Sequence, residues 1–455
     1  MFDVRLDGHL RSDTPSGQAF RATAISPLVI EGLVLVPAGS VIHGIVRRAR
    51  PVGIGLVRDR AFLELDFREY ELPDGQRFMF QAALHSIDNS REEVDAKGRI
   101  KGILAASSPQ GLVHGIWSRP RPDLFHRSLL GLTGAHGMAF KKLAIGPAGA
   151  AVLFAGRLAV VRLPEPEIHL PPGTEMKLRV RSIDGNAAFL SDPAGDAAGE
   201  QITSILGALP YTTLKPDGPQ AADIINLAFL GSRQDLEYAF AKAGWYPAEP
   251  LTARSFSRSY RAYTSMRGYP TAPVSLLLYD GRPPDLVFQK SLNTITKRHH
   301  IRIWRGEYAG NEVWLGAATH DVGIAFDRAR LTITHRIDPE IDGERRKVRD
   351  DLLFSKCAVR AGFISRPHAR RDRGGTRAIV TDGGLEALSV RPCDAMDSEA
   401  ASIQPPRAPS RAKRLLRRVS LETRHYLVRG SVYYWGFRIG KWTLRDSGRT
   451  AGIEE

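Results

Sequence analysis

Short apolar runs, interrupted every few residues by turn signals, dominate residues 1–185. Leu63, Leu65 and Phe67 alternate with charged residues, which is the period of a strand with one buried face. Pro73-Asp74-Gly75 is a turn signal, because proline restricts φ and glycine accepts positive φ. We therefore predict a mainly-β domain over 1–185, built as a sandwich or a barrel.

Composition changes along the rest of the chain. The glycine- and alanine-rich stretch 98–157 is too long for a turn and predicts short helices or an excursion from the β domain. Residues 186–222 have the composition of a linker. A second domain is predicted over 223–393, followed by a basic, partly disordered tail over 394–455.

The second domain mixes helix and strand signals. Ile224–Leu230 reads as a buried strand, Ser232 as the N-cap of a helix and Gly244 as its stop. Asp338 and the following proline predict the start of another helix. Further strands are predicted over 274–280, 298–305, 312–320, 330–337 and 383–390. The pattern predicts an α+β domain with an antiparallel sheet.

The charge of the chain is concentrated in its tail. The net charge is +15, and the last 52 residues hold twelve Lys or Arg but only four acids. Aromatic and aliphatic residues interleave these cations, a pattern that suits an anionic membrane surface through residues 404–455. Nucleic acid is a second candidate partner, and an unstructured soluble extension is the alternative to both. No pattern indicates an oligomeric state.

Cysteine content and the N-terminus bear on the compartment. Cys357 and Cys393 are the two cysteines of the chain, and they form either a disulfide in an oxidising compartment or two buried thiols. The first residues lack the pattern of a signal peptide, and no apolar run is long enough to span a membrane. Taken literally, these features predict a cytoplasmic protein.

Histidines in the second domain form the candidate site. The strands at 298–305 and 312–320 could close through a two-residue turn at Ala309-Gly310 or at Gly310-Asn311, and the first of these registers would place His299 opposite His320. Together with His335 and with Asp321 or Asp338, these residues could form a cluster that binds a divalent metal such as Zn²⁺ or Fe²⁺. The alternative is that each histidine is an ordinary hydrogen-bonded residue of the sheet, because no spacing matches a named metal motif.

The other face of the same strand carries a different set. Arg298, His300, Arg302 and Trp304 offer guanidinium donors and a stacking surface, which makes them a candidate anion-binding site. A solvated basic face is the alternative. The sequence holds no Ser-His-Asp order, glycine phosphate loop or CxxC pair, so whether the protein is an enzyme stays open.

Several blocks in the second domain carry a family resemblance, among them INLAFLGSRQDLEYAFAKAGW, YDGRPPDLVFQK, RHHIRIWRG, VWLGAATHDVGIAF and THRIDPEIDGERRKVRDDL. In this order they resemble the LssY C-terminal-like domain over about residues 223–393. The resemblance implies an envelope or lipid context. It implies no activity, because the phosphatase-like portion that precedes this domain in its namesake is absent here.

The first domain resembles β modules of bacterial envelope proteins, including the β-barrel scaffold of type IV secretion core complexes, through VPAGSVIHGIV and LPPGTEMKLRV. Both resemblances imply a protein of the envelope or periplasm, in contrast to the literal N-terminus. We therefore expect an envelope-associated binding or scaffold protein. The alternative is a metal-dependent hydrolase that acts on a phosphorylated or lipid substrate.

Overall fold

A computed structural model describes residues 1–53, 58, 60–103, 146, 148–149, 152, 164–183, 189–190, 204–207, 209–216, 218–265, 268–290, 297–308, 311–327, 332–366, 379–393 and 410–429. Most of the predicted excursion over 98–157 lies outside these residues.

The first domain is a closed antiparallel barrel. Its strands are β1 (Phe2–Leu6), β2 (Leu10–Arg11), β3 (Ala19–Ala24), β4 (Leu28–Ile30), β5 (Leu33–Val36), β6 (Val41–Arg50), β7 (Phe62–Glu71), β8 (Arg77–Ile87), β9 (Glu93–Val94), β10 (Arg99–Lys101), β11 (His169–Leu170), β12 (Glu175–Ile183) and β13 (Phe189–Leu190). The barrel runs β6-β3-β1-β12-β8-β7, and pairing of β7 with β6 closes it. The predicted mainly-β domain is confirmed.

The apolar residues of strands with alternating apolar and polar residues fill the barrel interior. Along β7, Leu63, Leu65 and Phe67 are buried while the residues between them are partly exposed. The barrel walls also approach closely at Gly44 on β6, where a Cβ would lie 2.7 Å from the carbonyl oxygen of Asp66. Glycine is therefore required at this position of the wall.

The second domain is α+β. Its strands are β14 (Thr212–Leu214), β15 (Ala221–Ile224), β16 (Leu227–Leu230), β17 (Trp245–Pro247), β18 (Leu286–Lys290), β19 (Arg298–Tyr308), β20 (Asn311–Asp327), β21 (Thr332–Ile337), β22 (Ala358–Ile364) and β23 (Leu385–Val390). Its helices are α1 (Arg233–Lys242), α2 (Ala253–Ser265) and α3 (Ile341–Phe354), and helix α4 (Arg411–Arg429) follows the domain. The predicted α+β class is confirmed.

One sheet organises this domain in the order β17-β18-β19-β20-β16-β23-β22, with β21 paired to the far end of β20. All its pairings are antiparallel except that of β16 with β23. Helices α1 and α3 bury Leu236, Phe240 and Val348 with Ile301 and Ile303 of β19 on one face of the sheet. The opposite face has its own core, which includes Trp304.

Local signals locate some elements well and others poorly. Ser232 caps α1 as predicted, accepting a hydrogen bond from the backbone N–H of Asp235. Helix α3 begins at Ile341 rather than at Asp338. The strand predicted over 274–280 was wrong, because this stretch makes only isolated bridges, including one from Leu278 to Leu214.

The strand predicted over Ile224–Leu230 is divided into β15 and β16. Asn226 lies at the division with its side chain buried. Its amide nitrogen donates to the carbonyl of Ala318 at 3.0 Å and its amide oxygen accepts from the N–H of Ala318 at 3.0 Å. The side chain therefore replaces the main-chain pairing at the break.

Cys357 and Cys393 are joined by a disulfide, with their Cα atoms 4.9 Å apart. The bond connects the start of β22 with the residues that follow β23, so it fastens the two strands at that edge of the sheet. Of the two alternatives that the sequence left open, the structure has the disulfide. In the described part of the chain, no helix has the length and apolarity needed to cross a membrane.

The disulfide should contribute measurably to stability. It closes a loop with a sequence separation of 36 residues, for which chain entropy predicts about 3–4 kcal/mol. We expect the double variant Cys357→Ala/Cys393→Ala to lower Tm by roughly 6–16 °C in differential scanning calorimetry. Reductant should lower Tm of the wild type by the same amount and leave the variant unchanged. An unaltered Tm in the variant would contradict the prediction.

Candidate functional site

Buried ion pairs join the barrel to the second domain. We call Arg5, Glu175, Lys290, Lys347 and Asp351 the interface ion cluster. The Glu175 carboxylate forms ion pairs with three cations. Lys347 Nζ lies at 2.5 Å, Arg5 Nη2 at 2.9 Å and Lys290 Nζ at 3.1 Å. Asp351 pairs with Lys290 at 2.6 Å and with Lys347 at 2.7 Å. The first strand and β12 of the barrel are thereby tied to β18 and α3 of the second domain.

In the interface ion cluster, opposite charges favour the charged forms of Glu175 and Lys347, whereas burial lowers the pKa of Lys290 below the ordinary lysine value. Burial alone would raise the pKa of Glu175, but Lys290, Lys347 and Arg5 hold that pKa well below its usual range. Burial likewise disfavours the charged Lys347, but Asp351 and Glu175 raise its pKa above the ordinary lysine value. Each buried charge is thus matched by opposite charges, which its removal from water requires.

A histidine pair lies next to this cluster. In the antiparallel pairing of β19 with β20, His299 is directly opposite His320. The two rings stack with centroids 4.1 Å apart and planes inclined by 16°. His299 is buried, whereas the His320 side chain keeps 20% exposure. The pair lies on the α3 side of the sheet, because strand side chains alternate and Ile301 and Ile303 lie on that side.

The barrel and α3 each supply a carboxylate to His299. Asp88, which follows β8, approaches His299 Nε2 with both carboxylate oxygens at 2.8 Å. Glu344 on α3 lies 2.6 Å from His299 Nδ1 through Oε2. The two ring nitrogens of His299 therefore face carboxylates from two different domains.

His320 makes a parallel set of contacts. Its Nε2 lies 2.9 Å from the side-chain oxygen of Asn89, and its Nδ1 lies 3.8 Å from Oδ2 of Asp338. Asn89 has a φ of +49°, a left-handed conformation that asparagine adopts more readily than most residues. That conformation turns the chain after β8 so that Asp88 and Asn89 both meet the histidine pair.

The two histidines differ in charge. Burial disfavours the imidazolium of His299, but the carboxylates of Asp88 and Glu344 outweigh burial and raise its pKa to about 10. Burial and the positive charge of His299 together lower the pKa of His320 to about 4. Burial alone would raise the pKa of Asp88, but His299 holds it well below its usual range.

The structure brings together only some of the residues predicted for the histidine cluster. The structure brings together His299, His320 and Asp338. Asp321 projects to the opposite face of the sheet, where Arg298 donates to its Oδ2 from Nε at 3.2 Å and from Nη2 at 3.1 Å. His335 pairs with Ile324 in the β20–β21 ladder, and its side chain lies outside the described residues.

Sequence reasoning missed Asp88, Asn89 and Glu344. Asp88 and Asn89 belong to another domain, and Glu344 lies in a helix that reads as charged on most faces. The only local signal was the polar Asp-Asn pair that ends the apolar strand β8. Of the described residues, Asp88, His299 and His320 form a group whose nitrogen and oxygen atoms all lie within 4.8 Å of one another, so they could hold a metal ion.

The candidate anion-binding set is buried rather than open. Arg298, His300, Arg302 and Trp304 are each at most 4% exposed. Arg302 pairs with Asp223 at 2.7 Å, His300 Nε2 lies 2.8 Å from the Thr319 hydroxyl, and Trp304 donates to the carbonyl of Arg282 at 3.0 Å. These polar groups therefore bind other parts of the protein, because the segments before β16 and β18 cover this face of the sheet.

Removing the central carboxylate of the interface ion cluster should be costly. Glu175→Gln keeps the shape of the side chain but leaves the buried Lys290 and the partly buried Arg5 and Lys347 undercompensated, so we expect a loss of roughly 3–5 kcal/mol in the free energy of unfolding. Urea denaturation measures this loss. Arg68→Ala, which removes the exposed pair with Asp66, is the control and should change stability by less than about 0.5 kcal/mol. Equal effects of the two variants would contradict this account.

The charge difference between the histidines should be visible by NMR in metal-free protein. At pH 7 we expect imidazole nitrogen shifts of a protonated His299 and a neutral His320, since their pKa values are about 10 and about 4. His299 therefore stabilises the fold below its ordinary pKa of 6.5, and this contribution is lost as pH rises towards 10. The neutral preference of His320 destabilises the fold as pH falls from 6.5 towards 4. Titration of both near pH 6.5 would refute the assignment.

Comparison with known proteins identifies part of the chain. Residues 206–385 match the family described as LssY C-terminus. No curated protein matches the chain. Among solved structures, ComB10 of the Com type IV secretion system of Helicobacter pylori aligns with 10% identity and a TM-score of 0.20, over 42% of this chain and 94% of that one.

The family match begins earlier than the resemblance over 223–393 and includes β14 and the buried Leu206, which packs in the core on the Trp304 face of the sheet. The match contains the β19–β20 pair and the whole of α3, which carries Glu344. The second domain of this protein is thus an LssY C-terminal-like domain, as its sequence blocks predict.

Proposed function

We propose that the protein is an envelope-associated scaffold or binding protein, whose barrel and LssY C-terminal-like domain act as one body that α4 holds against an anionic lipid surface. The observation that carries this proposal is the position of α4. The helix is fastened to the barrel near its middle, and its first six residues present exposed cations and leucines.

Contacts near the middle of α4 fasten it to the barrel. Arg417 Nη2 lies 2.6 Å from Oε1 of Glu165, and its Nη1 donates to the carbonyl of Gly53 at 3.0 Å. Leu421, one helical turn further on, is 6% exposed. An unstructured extension therefore does not describe residues 411–429.

The first part of α4 has a different character. Residues 411–416 are all exposed, including Arg411, Lys413 and Arg414. Leu415 and Leu416 are 60% and 70% exposed. Each cation near an anionic bilayer contributes about 1 kcal/mol, and apolar side chains add to binding by entering the headgroup region. A nucleic acid would use the cations but not the adjacent leucines, so this combination favours lipid.

The disulfide supports an envelope location. Disulfides persist in oxidising compartments such as the periplasm and are rare in the cytosol, where thiols are kept reduced. Cys357 and Cys393 are bonded within the LssY C-terminal-like domain. The bond therefore favours the exported location that the family resemblance implies.

We do not propose the hydrolase alternative. A hydrolase for phosphorylated substrates needs an opening beside the histidine pair and cationic groups that face it. In the described residues, Asp88 and Asn89 of the barrel lie against the pair. Arg298 and Arg302, which would suit a phosphate, are buried on the opposite face of the sheet.

Vesicle binding tests the proposal. We expect the full chain to sediment with vesicles that contain phosphatidylglycerol and not with pure phosphatidylcholine. Arg411→Gln/Lys413→Gln/Arg414→Gln should weaken binding roughly 100-fold, because it removes about 3 kcal/mol of attraction. Leu415→Ser/Leu416→Ser should also weaken it.

Matched controls come from exposed residues elsewhere. Leu251 is 75% exposed, and the Arg47 side chain is 69% exposed. Leu251→Ser and Arg47→Gln should leave vesicle binding unchanged. The proposal fails if the wild type does not bind anionic vesicles, if the α4 variants bind as well as the wild type, or if the controls lose as much binding as the α4 variants.

A further inference from the structure

We propose that Asp88, His299 and His320 bind one divalent transition-metal ion of the Zn²⁺ type, in a site that is complete only when the barrel and the LssY C-terminal-like domain are together. The proposal is independent of lipid binding. It depends on the convergence of side chains from two domains on one point.

The ligand atoms already converge. One nitrogen from each histidine and a carboxylate oxygen of Asp88 all lie within 4.8 Å of one another. Both Nε2 atoms are directed at the segment after β8, with His299 at 2.8 Å from Asp88 and His320 at 2.9 Å from Asn89. A metal ion would replace the proton that His299 Nε2 shares with Asp88. Because the two rings are stacked with planes inclined by 16°, they would have to rotate out of parallel for both nitrogens to point at one ion.

Of the two nitrogens that face away from this point, that of His299 has the hydrogen-bond partner that a metal site needs, and that of His320 has a carboxylate within ion-pair distance. Histidines that bind a metal through one nitrogen generally donate the other N–H to a carboxylate or carbonyl, which orients the ring and makes the ligand more basic. Glu344 is 2.6 Å from His299 Nδ1, and Asp338 is 3.8 Å from His320 Nδ1. Both rings therefore have a carboxylate behind the nitrogen that would not bind the ion.

An ion pair without metal accounts for Asp88 and His299 but not for His320. The contact between Asp88 and His299 would hold the domains together with a single histidine. The second histidine, stacked on the first at 4.1 Å and directed at the same segment, adds no opposite charge to that pair. Two imidazoles and one carboxylate at one point are the donor set of a metal centre.

The donor set selects the type of metal. Two imidazole nitrogens and one carboxylate oxygen suit Zn²⁺ and similar divalent transition metals, whereas Mg²⁺ and Ca²⁺ prefer oxygen ligands. The side-chain oxygen of Asn89 or a water is available to complete a four-coordinate sphere. His320 keeps 20% exposure and Asp88 28%, so an ion has access from the interface edge.

Zn²⁺ binding to the full chain tests the proposal. After treatment with a chelator, the protein should take up one equivalent of Zn²⁺ in competition with a chromophoric chelator. Co²⁺, which reports coordination through its visible absorption, should give a four-coordinate spectrum. Zn²⁺ should also raise Tm, because a ligand that binds only the folded state stabilises it.

Variants from both domains locate the ion. Asp88→Asn and His320→Gln should each weaken Zn²⁺ binding at least 100-fold and abolish the rise in Tm. Glu344→Gln should weaken binding by about 10–100-fold, as expected for a residue that positions a ligand. The matched control is His9→Ala, which disrupts a second stacked histidine pair, that of His9 with His169 in the barrel. This control should bind Zn²⁺ like the wild type.

Three results would overturn the proposal. They are a wild type that takes up no Zn²⁺, an Asp88→Asn variant that binds with wild-type affinity, and a loss of binding in His9→Ala equal to that in His320→Gln. Circular dichroism confirms that each variant is folded. If His320→Gln does not fold, Asp88→Asn decides the outcome, because it changes a half-buried residue of the other domain without changing its size.

Discussion

The antiparallel register between β19 and β20 determines what the polar residues of the second domain can reach. It places His299 opposite His320 and Arg298 opposite Asp321. Because side chains alternate, the histidine pair joins the face covered by α3, while Arg298, His300 and Arg302 join the other. A shift by one residue would exchange the two faces, removing the histidines from the barrel and placing guanidinium groups against α3.

Charge at the domain interface is arranged to specify one docking geometry. The interface ion cluster pairs three buried or partly buried cations with two buried carboxylates, and His299 adds a cation between Asp88 and Glu344. Buried ion pairs add little net stability over apolar contacts. A buried charge without an opposite charge, however, strongly lowers the free energy of unfolding. Any other placement of the barrel would leave several charges without partners. The polar interface therefore selects an orientation more than it strengthens the association, and the proposed metal ion would add strength at the same point.

The two proposals assign different tasks to different charged regions of one body. The cations at the domain interface form ion pairs within the protein, whereas those at the start of α4 face solvent beside two leucines. Arg417 belongs to the first kind, because it pairs with Glu165 of the barrel and fixes the helix in place. Among the described cations of α4, Arg417 thus attaches the helix to the protein, and Arg411, Lys413 and Arg414 form the surface that the first proposal assigns to an anionic partner.

Local periodicity determined much of this architecture. Alternation along β7 predicts a one-sided strand, Ser232 and Gly244 delimit α1, and strand parity alone assigns His299 and His300 to opposite faces. These properties depend on neighbours a few residues apart, so they can be read from the chain. The same reasoning predicted a strand over 274–280 wrongly. An apolar segment that covers the face of a sheet has the same composition as a strand that belongs to the sheet.

Only the tertiary structure decided which residues join the histidine pair and which predicted residues are buried elsewhere. Asp88 reaches His299 across a sequence separation of 211 residues, and no spacing rule connects positions so far apart on two domains. Glu344 joins them because α3 packs on that face, and Arg302 is withdrawn from solvent because other segments cover its face. The sequence alone determined which residues share a strand face. Burial and the meeting of two domains determined which of them are partners, since both depend on packing between distant parts of the chain.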